Sequence, residues 1–357
     1  MVGGHGVDLL RWEQRMKAIM LSEPRQIGVV DLPDEQPGPG EVTLRIESCS
    51  VCGSDLEGFH GIHPKMTFPR VMGHEVGSVV KAVGDGVGLS VGDRVAGTGR
   101  KACRSCEPCR NGRPAECANP GGPGFTAHGA YAESMTVIAT ELVPIPENLS
   151  FDEAAVAQPA AIAYHAVVGR AAIKEGETVL IQGCGPIGLS AMMLAKLQGA
   201  RVISTDIVDY RVQKARELGA ELALNSSKED VFAPIRDMTS GQGVDKVIEC
   251  VGADQDETIP QAVEAVRSSG LVVVVGSFAS NRATVPIIDF KFSEKSLIGS
   301  QGMPEGYGPI FELMSFGKLD VNRLISHRIP LDQAPHALSL MDRKDEDVLK
   351  VVLKPQT

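Results

Sequence analysis

The stretch ETVLIQGCGPIGLSAMMLAKLQGARVISTD, residues 177–206, decides the fold of this chain. Residues 178–182 form a short apolar run that is typical of a buried strand. The glycine turn GCGPIG, residues 183–188, follows at once, and apolar residues then recur at helical spacing. A second apolar run at 202–205 ends in Asp206. The order strand, G-x-G-x-x-G, helix, strand and acidic residue predicts a βαβ unit that binds a dinucleotide.

The chemistry of this turn suits a pyrophosphate. Glycines permit the tight turn and a close approach of the ligand, and the helix N-terminus offers unpaired N–H groups and a positive dipole. Asp206 lies 18 residues after Gly188, where its carboxylate would accept hydrogen bonds from the adenine ribose 2′-OH and repel a 2′-phosphate. We therefore expect NAD rather than NADP. Arg211 is a counter-signal, because it could serve a 2′-phosphate or stack on the adenine. The alternative is a tight βα turn in another doubly wound domain.

Further apolar runs at 244–251 and 271–277 predict more strands of a parallel sheet that is buried on both faces. This sheet is expected to end near residues 295–302. Val251 ends one run, Gly252 follows it and Ser277 ends the other run, which places these residues near the nicotinamide. The residues expected to contact the cofactor are Gly183, Gly185, Pro186, Ile187, Gly188, Asp206, Arg211, Val251, Gly252 and Ser277.

Length and composition exclude several classes of function. A chain of 357 residues exceeds the usual size of one domain, so two domains are expected. A net charge of -10 and an aromatic content of 4% argue against a nucleic-acid or membrane partner. The N-terminus has no secretory pattern and no apolar run could span a bilayer, so a cytoplasmic location is expected. Residues 1–15 look like an extension, because the first strand is predicted from Met16.

Four of the eight cysteines crowd into ACRSCEPCRNGRPAEC, residues 102–117. The spacing C-x2-C-x2-C-x7-C lets four sulfurs turn toward one centre and leaves no position for water, which predicts a structural zinc site. The alternatives are a disulfide pair, a redox-sensing cluster or an iron–sulfur cluster. The expected ligands are Cys103, Cys106, Cys109 and Cys117.

A second group of metal ligands is indicated by VCGSDLEGFHG, which contains Cys52, and by FPRVMGHEVGSVV, which contains His74 and Glu75. One cysteine and one histidine are half of a zinc site, and catalytic zinc keeps three protein ligands and an open position. Glu75 is either the third ligand or an outer carboxylate that orients the others. The plainer alternative is a buried cysteine and a core histidine.

The motifs CGSD, GHE, GDRV, the four-cysteine segment and GCGPIG together resemble the zinc-dependent medium-chain dehydrogenases of the alcohol, sorbitol, threonine and glucose type. The resemblance covers the chain from Met16 onward. It implies an α/β protein with a GroES-like, β-rich catalytic domain at 1–159 and 303–357 and a Rossmann NAD-binding domain at 160–302. It also implies a zinc lobe at about 97–120, two zinc ions per chain, and a homo-tetramer or homo-dimer.

Carried over residue by residue, the resemblance assigns Cys52 and His74 as catalytic zinc ligands, with Glu75 as a ligand or outer carboxylate. Ser54 matches the hydroxyl that relays the substrate proton. Two positions depart from the common pattern. Gln158 stands where the family usually has Cys or Glu, and its amide oxygen could still reach zinc without adding negative charge. Glu57 replaces a relay histidine and could be the terminal base or bind a substrate hydroxyl. The alternative for both positions is drift in a member whose proton route differs.

The implied reaction is hydride transfer between NAD and a secondary alcohol of a polyol, sugar or cyclitol. The alternatives are a dehydrogenase of threonine-type amino-alcohols or simple alcohols and, more remotely, a catalytically silent protein that binds zinc and nucleotide. His60 and His63, in the loop after Cys52, either line the substrate cleft or are solvated.

Overall fold

The computed structural model describes residues 15–97, 99–252, 256–277, 282–301, 306–343 and 347–356. Residues 1–14 of the expected extension and the expected domain boundary at 302–303 lie outside these ranges. Along residues 15–164 the strands and helices are β1 (Arg15–Glu23), β2 (Gln26–Pro33), β3 (Glu41–Ser50), α1 (Gly53–Phe59), β4 (Arg70–Val71), β5 (Glu75–Val83), β6 (Arg94–Ala96), α2 (Glu107–Arg110), β7 (Ser134–Ile138), β8 (Val143–Pro144) and α3 (Phe151–Tyr164).

A π-helical segment, His165–Arg170, continues α3. The remaining elements are β9 (Thr178–Gln182), α4 (Pro186–Leu197), β10 (Arg201–Asp206), α5 (Asp209–Glu217), β11 (Leu222–Asn225), α6 (Phe232–Met238), β12 (Val244–Glu249), α7 (Thr258–Ala265), β13 (Val266–Val274), α8 (Ile287–Phe292), β14 (Ser296–Gly299), α9 (Tyr307–Ser315), β15 (Ile325–Pro330), α10 (Ala334–Arg343) and β16 (Lys350–Lys354). Short 3-10 turns lie at Pro114–Glu116, Ala139–Glu141, Val321–Leu324 and Leu331–Gln333.

The predicted βαβ unit forms the centre of a six-stranded sheet with the order β11-β10-β9-β12-β13-β14. Every neighbouring pair in it is parallel, and the order is that of a Rossmann fold. Both faces are buried, because Val179 and Ile181 of β9 join one apolar cluster and Leu180 joins another. Because successive side chains of β9 face opposite sides of the sheet and both sides are buried, the whole strand is apolar in sequence. The predicted Rossmann half is confirmed.

Strand β13 differs from its prediction. It begins at Val266 instead of 271, because Val266 already pairs with Val244 and the pairing resumes at Lys246 and Leu271. The polar residues between them form a bulge in which Ser269 has a φ of 56°. An irregular polar segment of this kind carries no strand pattern that sequence reasoning could detect.

The other half is β-rich. A seven-stranded sheet has the order β15-β16-β3-β5-β6-β8, with β7 paired to β3, and a three-stranded antiparallel sheet has the order β2-β1-β4. Strand β16 pairs with β15 in parallel and with β3 antiparallel, so the chain returns to its first half near residue 350. This architecture confirms the GroES-like half, while the exact domain boundaries stay a prediction.

Helix α3 lies where the two sheets approach each other. Its start is held by a capping box, in which Ser150 Oγ accepts from the Glu153 N–H at 3.2 Å and Glu153 Oε2 accepts from the Ser150 N–H at 2.8 Å. The helix packs against β3 and β5 on one side and against α4 and α9 on the other. It therefore connects the β-rich half to the Rossmann half and carries Gln158 between them.

Candidate metal and dinucleotide sites

Cys52 is placed by the start of α1. It is the residue before the helix, and its N–H donates to Asp55 Oδ2 at 2.9 Å, while the Asp55 N–H donates to the Cys52 carbonyl at 3.1 Å. This reciprocal pair holds the first turn in the manner of a capping box. The Cys52 side chain is thereby directed from a rigid point of the backbone.

His74 and Glu75 are placed by a glycine and a strand. Gly73 has a φ of +89°, and a Cβ there would lie 2.4 Å from Cδ1 of Tyr131, so only glycine fits. Strand β5 begins directly afterwards, at Glu75. The backbone turn at Gly73 places the His74 side chain next to that of Cys52.

The structure brings Cys52, His74 and Glu75 together, with their ligand atoms all within 4.8 Å of one another. A thiolate, an imidazole and a carboxylate are the three side-chain types that bind zinc. Nδ1 of His74 is buried and has no hydrogen-bond partner among the described residues, although Asp55 Oδ1 lies 3.7 Å away. These residues therefore fit a zinc ion, which Cys52 and His74 would hold with Glu75 beside it. We name this set the Cys52 group.

Asp55 is the buried carboxylate that organises the Cys52 group, and its role was not predicted although CGSD was noted. Besides Cys52, it accepts from the Gly73 N–H at 3.2 Å and from the Tyr131 hydroxyl at 3.0 Å. Burial alone would raise the pKa of Asp55, but the charge of His74 and these donors outweigh it and lower that pKa. Asp55 therefore stays ionised and faces His74.

Glu75 has partners that come from distant parts of the chain. Its Oε2 accepts from the Ser50 hydroxyl and lies 2.5 Å from Nζ of Lys350, in a pair that is almost wholly buried. Ser50 Oγ also lies 3.3 Å from the carbonyl of Ala155 in α3. Burial opposes the charge on Lys350, yet the charges of Glu75 and Cys52 raise the pKa of that ammonium. Sequence reasoning missed Lys350, because no local motif marks it.

The other predicted site residues lie on helices near the Cys52 group. Ser54 and Glu57 are three residues apart on α1, so they face the same side of the helix. Glu57 is half-buried, and burial raises the pKa of its carboxyl. Gln158 is half-buried on α3, three residues beyond the Ala155 carbonyl that contacts Ser50. The roles assigned to Ser54, Glu57 and Gln158 stay predictions.

The two loop histidines have different surroundings. His60 Nε2 lies 3.0 Å from Asp342 Oδ1, which joins the end of α1 to α10. His63 stacks on Phe125 with 4.6 Å between ring centroids, and Phe125 in turn lies 4.8 Å from the His74 ring. His63 and Phe125 therefore form an aromatic wall beside the Cys52 group, and Phe125 was not predicted.

The four-cysteine lobe forms a second compact set of ligands. The sulfurs of Cys103, Cys106, Cys109 and Cys117 all lie within 4.8 Å of one another, and two of the pairs are 4.0 Å apart. Tetrahedral zinc with bonds of about 2.3 Å would place sulfurs about 3.8 Å apart. All eight cysteines of the chain are free thiols, so the disulfide alternative does not hold. The geometry fits a closed structural site.

Basic side chains of the lobe serve to attach it. Arg104 Nε lies 3.0 Å from Oε2 of the buried Glu41, and Lys101 Nζ lies 2.6 Å from Glu35 Oε2. Both of these carboxylates belong to the main body rather than to the lobe. The two cations therefore tie the lobe to the residues around β3.

The glycine turn leaves room where a ligand would approach. Gly183 has a φ of +87°, and a Cβ on Gly188 would lie 1.8 Å from the Gly183 carbonyl oxygen, so both positions require glycine. A Cβ on Gly185 would meet nothing within 4 Å, which leaves open space at the start of α4. Pro186 is the first residue of that helix and suits its missing N–H. The turn fits a pyrophosphate.

Asp206 does more than the sequence indicates. Its Oδ2 accepts from the Cys184 N–H at 2.7 Å and its Oδ1 accepts from the Val208 N–H at 2.9 Å. The carboxylate at the end of β10 therefore also holds the backbone of the glycine turn in place. Nη1 of Arg211 lies 4.0 Å from Oδ2, and its buried Nε has no hydrogen-bond partner among the described residues.

Glu249 ends β12 beside the predicted nicotinamide residues and was also missed. Its Oε1 accepts from the Val251 N–H at 3.1 Å and from the Thr258 hydroxyl at 3.0 Å. Burial raises the pKa of this carboxyl to about 7. Glu249 thus holds the backbone at Val251, next to Gly252, whereas Ser277 follows β13 at the same edge of the sheet.

Comparison with known families agrees with this geometry. The model of the alcohol dehydrogenase GroES-like domain matches residues 38–147, and that of the zinc-binding dehydrogenase matches residues 186–315. A sorbitol dehydrogenase from Halalkalibacterium halodurans is 30% identical over 95% of this chain and 99% of its own length. An L-threonine 3-dehydrogenase from Pyrococcus furiosus is 33% identical over 92% of this chain and 96% of its own.

Solved structures are similar over nearly the whole chain. A putative zinc-binding dehydrogenase from Sinorhizobium meliloti 1021, bound to NADP, has a TM-score of 0.85 and 32% identity and covers 96% of this chain and 100% of its own. A short chain alcohol dehydrogenase from E. coli CFT073, complexed with NADH, has a TM-score of 0.84 and 29% identity and covers 95% and 99%. The chain belongs to the zinc-dependent medium-chain dehydrogenases, a family of alcohol dehydrogenase-type oxidoreductases.

Proposed function

We propose that this protein is an NAD-linked, zinc-dependent dehydrogenase of a secondary alcohol on a polyol, sugar or cyclitol. The observation that carries the proposal is the Cys52 group, in which the ligand atoms lie within 4.8 Å of one another beside Ser54 and Glu57 of α1. A thiolate and an imidazole with a flanking carboxylate suit an open zinc site rather than a closed one.

The residues around the Cys52 group have separate tasks. When bound, zinc supplies a Lewis acid that lowers the pKa of a substrate hydroxyl. Asp55 faces His74 and holds its ring in place, while the Ser54 hydroxyl takes the substrate proton and passes it toward solvent. The glycine turn at 183–188 would hold the pyrophosphate of the cofactor at the start of α4, and Val251 would contact its nicotinamide.

Glu57 and Gln158 favour a polyhydroxy substrate. Glu57 shares one side of α1 with Ser54, and its half-buried carboxyl can accept hydrogen bonds from a hydroxyl next to the one that reacts. Gln158 adds no negative charge, so the metal site stays more cationic than with Cys or Glu at this position. Both features suit the oxidation of one hydroxyl among several.

NAD is the proposed cofactor because the Asp206 carboxylate ends β10 in the position that meets the adenine ribose. Its negative charge opposes a 2′-phosphate, although Arg211 at 4.0 Å weakens that opposition. Measurement of kcat/KM with NAD and with NADP tests this preference. Equal values would contradict it.

We propose further that the chain self-associates as a dimer or tetramer. Ile287, Ile288 and Phe292 of α8 are each at least 64% exposed, and α8 directly precedes β14 at the edge of the six-stranded sheet. An exposed apolar helix beside a sheet edge is the kind of surface that a second copy covers.

Free thiols at all eight cysteines support a reducing, cytoplasmic environment. No helix among the described residues is long and apolar enough to cross a membrane.

The test is NADH formation by purified, zinc-loaded protein across polyols, sugars, cyclitols, threonine and simple alcohols. We expect turnover confined to one polyhydroxy class, with two zinc ions bound per chain. Turnover of threonine alone would identify an amino-alcohol dehydrogenase instead. One zinc per chain and no turnover with either nucleotide would support a silent binding protein.

A further inference from the structure

Lys350 is a lysine that the fold buries next to the Cys52 group. Its side chain is 3% exposed, and Nζ lies 2.5 Å from Glu75 Oε2 and 3.0 Å from the Val51 carbonyl oxygen. A buried ammonium is costly unless it is paired and hydrogen-bonded, and both conditions are met here. The pairing of β16 with β3 holds this position, because the Val51 N–H donates to the Val351 carbonyl at 2.8 Å.

Glu75 lies close to two places for a positive charge. Its carboxylate contacts the Lys350 ammonium, and one of its oxygens is within 4.8 Å of the ligand atoms of Cys52 and His74, which form the metal position. Ser50 donates to the same Oε2 that faces Lys350, so both contacts engage one oxygen of the carboxylate. A carboxylate held by two donors is a poorer metal ligand than a free one.

We propose that Lys350 is a positioning residue that keeps Glu75 out of the metal's ligand set, so that a position stays open for substrate. This inference rests on the proposed function, since it takes the Cys52 group as the open zinc site. With Glu75 held by Lys350, a divalent metal and the Cys52 thiolate leave a net positive centre. If Glu75 became a ligand, that centre would be neutral and would acidify a hydroxyl less.

The experiment uses the full chain loaded with Co²⁺, whose visible absorption weakens as its coordination number rises. The spectrum of Cys52→Ser, which keeps the four-cysteine lobe, is subtracted to isolate the Cys52 group. Co²⁺ affinity is measured by competition with a chelator. Lys350→Met removes the charge at similar length and Lys350→Arg keeps it. Lys354→Met is the matched control, because Lys354 lies on the same strand and pairs with Asp152.

For Lys350→Met we expect weaker visible absorption and Co²⁺ binding tighter by about 10-fold or more, the scale on which outer residues change metal affinity. Lys350→Arg and Lys354→Met should match the unaltered protein, and Lys350→Met with Glu75→Gln should restore its spectrum. Unchanged spectrum and affinity in Lys350→Met, or weaker binding, would overturn the inference.

Glu75→Gln gives a second test that does not depend on the folding of Lys350→Met. If Glu75 is not a ligand, this variant keeps the visible spectrum of the unaltered protein, because the coordination number of the metal does not change. A changed spectrum would show that Glu75 is a ligand and overturn the inference. If the spectra of the unaltered protein and of Cys52→Ser were identical, the Cys52 group would bind no Co²⁺. That result would overturn the proposed function as well as this inference, whereas the results above would overturn the inference alone.

Discussion

The four-cysteine lobe and the Cys52 group both gather their ligand atoms within 4.8 Å of one another, but they are built in opposite ways. The lobe takes four identical ligands from one segment, Cys103 to Cys117, and two ion pairs attach it to the body. The Cys52 group takes three different ligands and surrounds them with the buried charges of Asp55 and Lys350. A closed site needs only its own ligands, whereas a reactive one needs partners that control how the ligands are held.

The largest expected effect is on activity at the Cys52 group. Cys52→Ser should lower kcat by about 10³-fold or more, because the lost metal supplies several kcal/mol of transition-state stabilisation. Zinc content should fall by one ion per chain while the unfolding temperature changes little. NADH absorbance and metal analysis measure both. If the variant kept a tenth of the activity, the Cys52 group would not be the catalytic site, and the contrast with the four-cysteine lobe would not hold.

Cys106→Ser should show the reverse pattern. Loss of the lobe's metal should lower the free energy of unfolding by about 3 kcal/mol, since structural zinc binding contributes directly to folding. Activity at low temperature should stay within about 3-fold, because the lobe leaves no position for substrate. Urea denaturation and kcat on the same sample compare the two effects. Abolished activity in a folded variant would mean that the lobe takes part in the reaction.

Asp55→Asn tests whether the buried partners of the Cys52 group control its metal affinity and the catalytic rate. The amide cannot accept all three hydrogen bonds that Asp55 accepts and carries no charge toward His74, so metal affinity or kcat should fall by about 10–100-fold. Asp342→Asn is the control, because Asp342 also faces a histidine, His60, but is 47% exposed and outside the group. Similar losses in both variants would argue for a general effect on folding.

The smallest effect concerns the attachment of the lobe. Arg104→Met should lower the free energy of unfolding by about 1 kcal/mol, because it leaves the buried Glu41 without its cation. Arg113→Met should cost less than about 0.5 kcal/mol, since Arg113 and Glu116 are both more than half exposed. Urea titration of the two variants measures the difference. Equal losses would show that burial of Glu41 does not matter.

The same contrast explains what the sequence could reveal. Strand β9 is predicted to the residue, and the motifs name the residues that gather in the two clusters, because adjacent positions carry these signals: an apolar run, a cysteine spacing, a glycine before a histidine. Lys350 could not be predicted in this way, since it lies beside Glu75 only because β16 pairs with β3. Phe125 and Glu249 were missed for a similar reason, because only tertiary packing gives them neighbours in the site.

The return of the chain near residue 350 also sets an order of events during synthesis. Lys350 contacts a carbonyl 299 residues earlier in the sequence, and β16 fills the gap between β15 and β3. The lobe is complete once Cys117 has emerged from the ribosome, whereas Glu75 gains its ammonium partner only after residue 350 has been made. Nascent chains fold in parts as they emerge. The four thiols of the lobe can therefore gather first, and the Cys52 group gains its last buried partner only after β16 has formed.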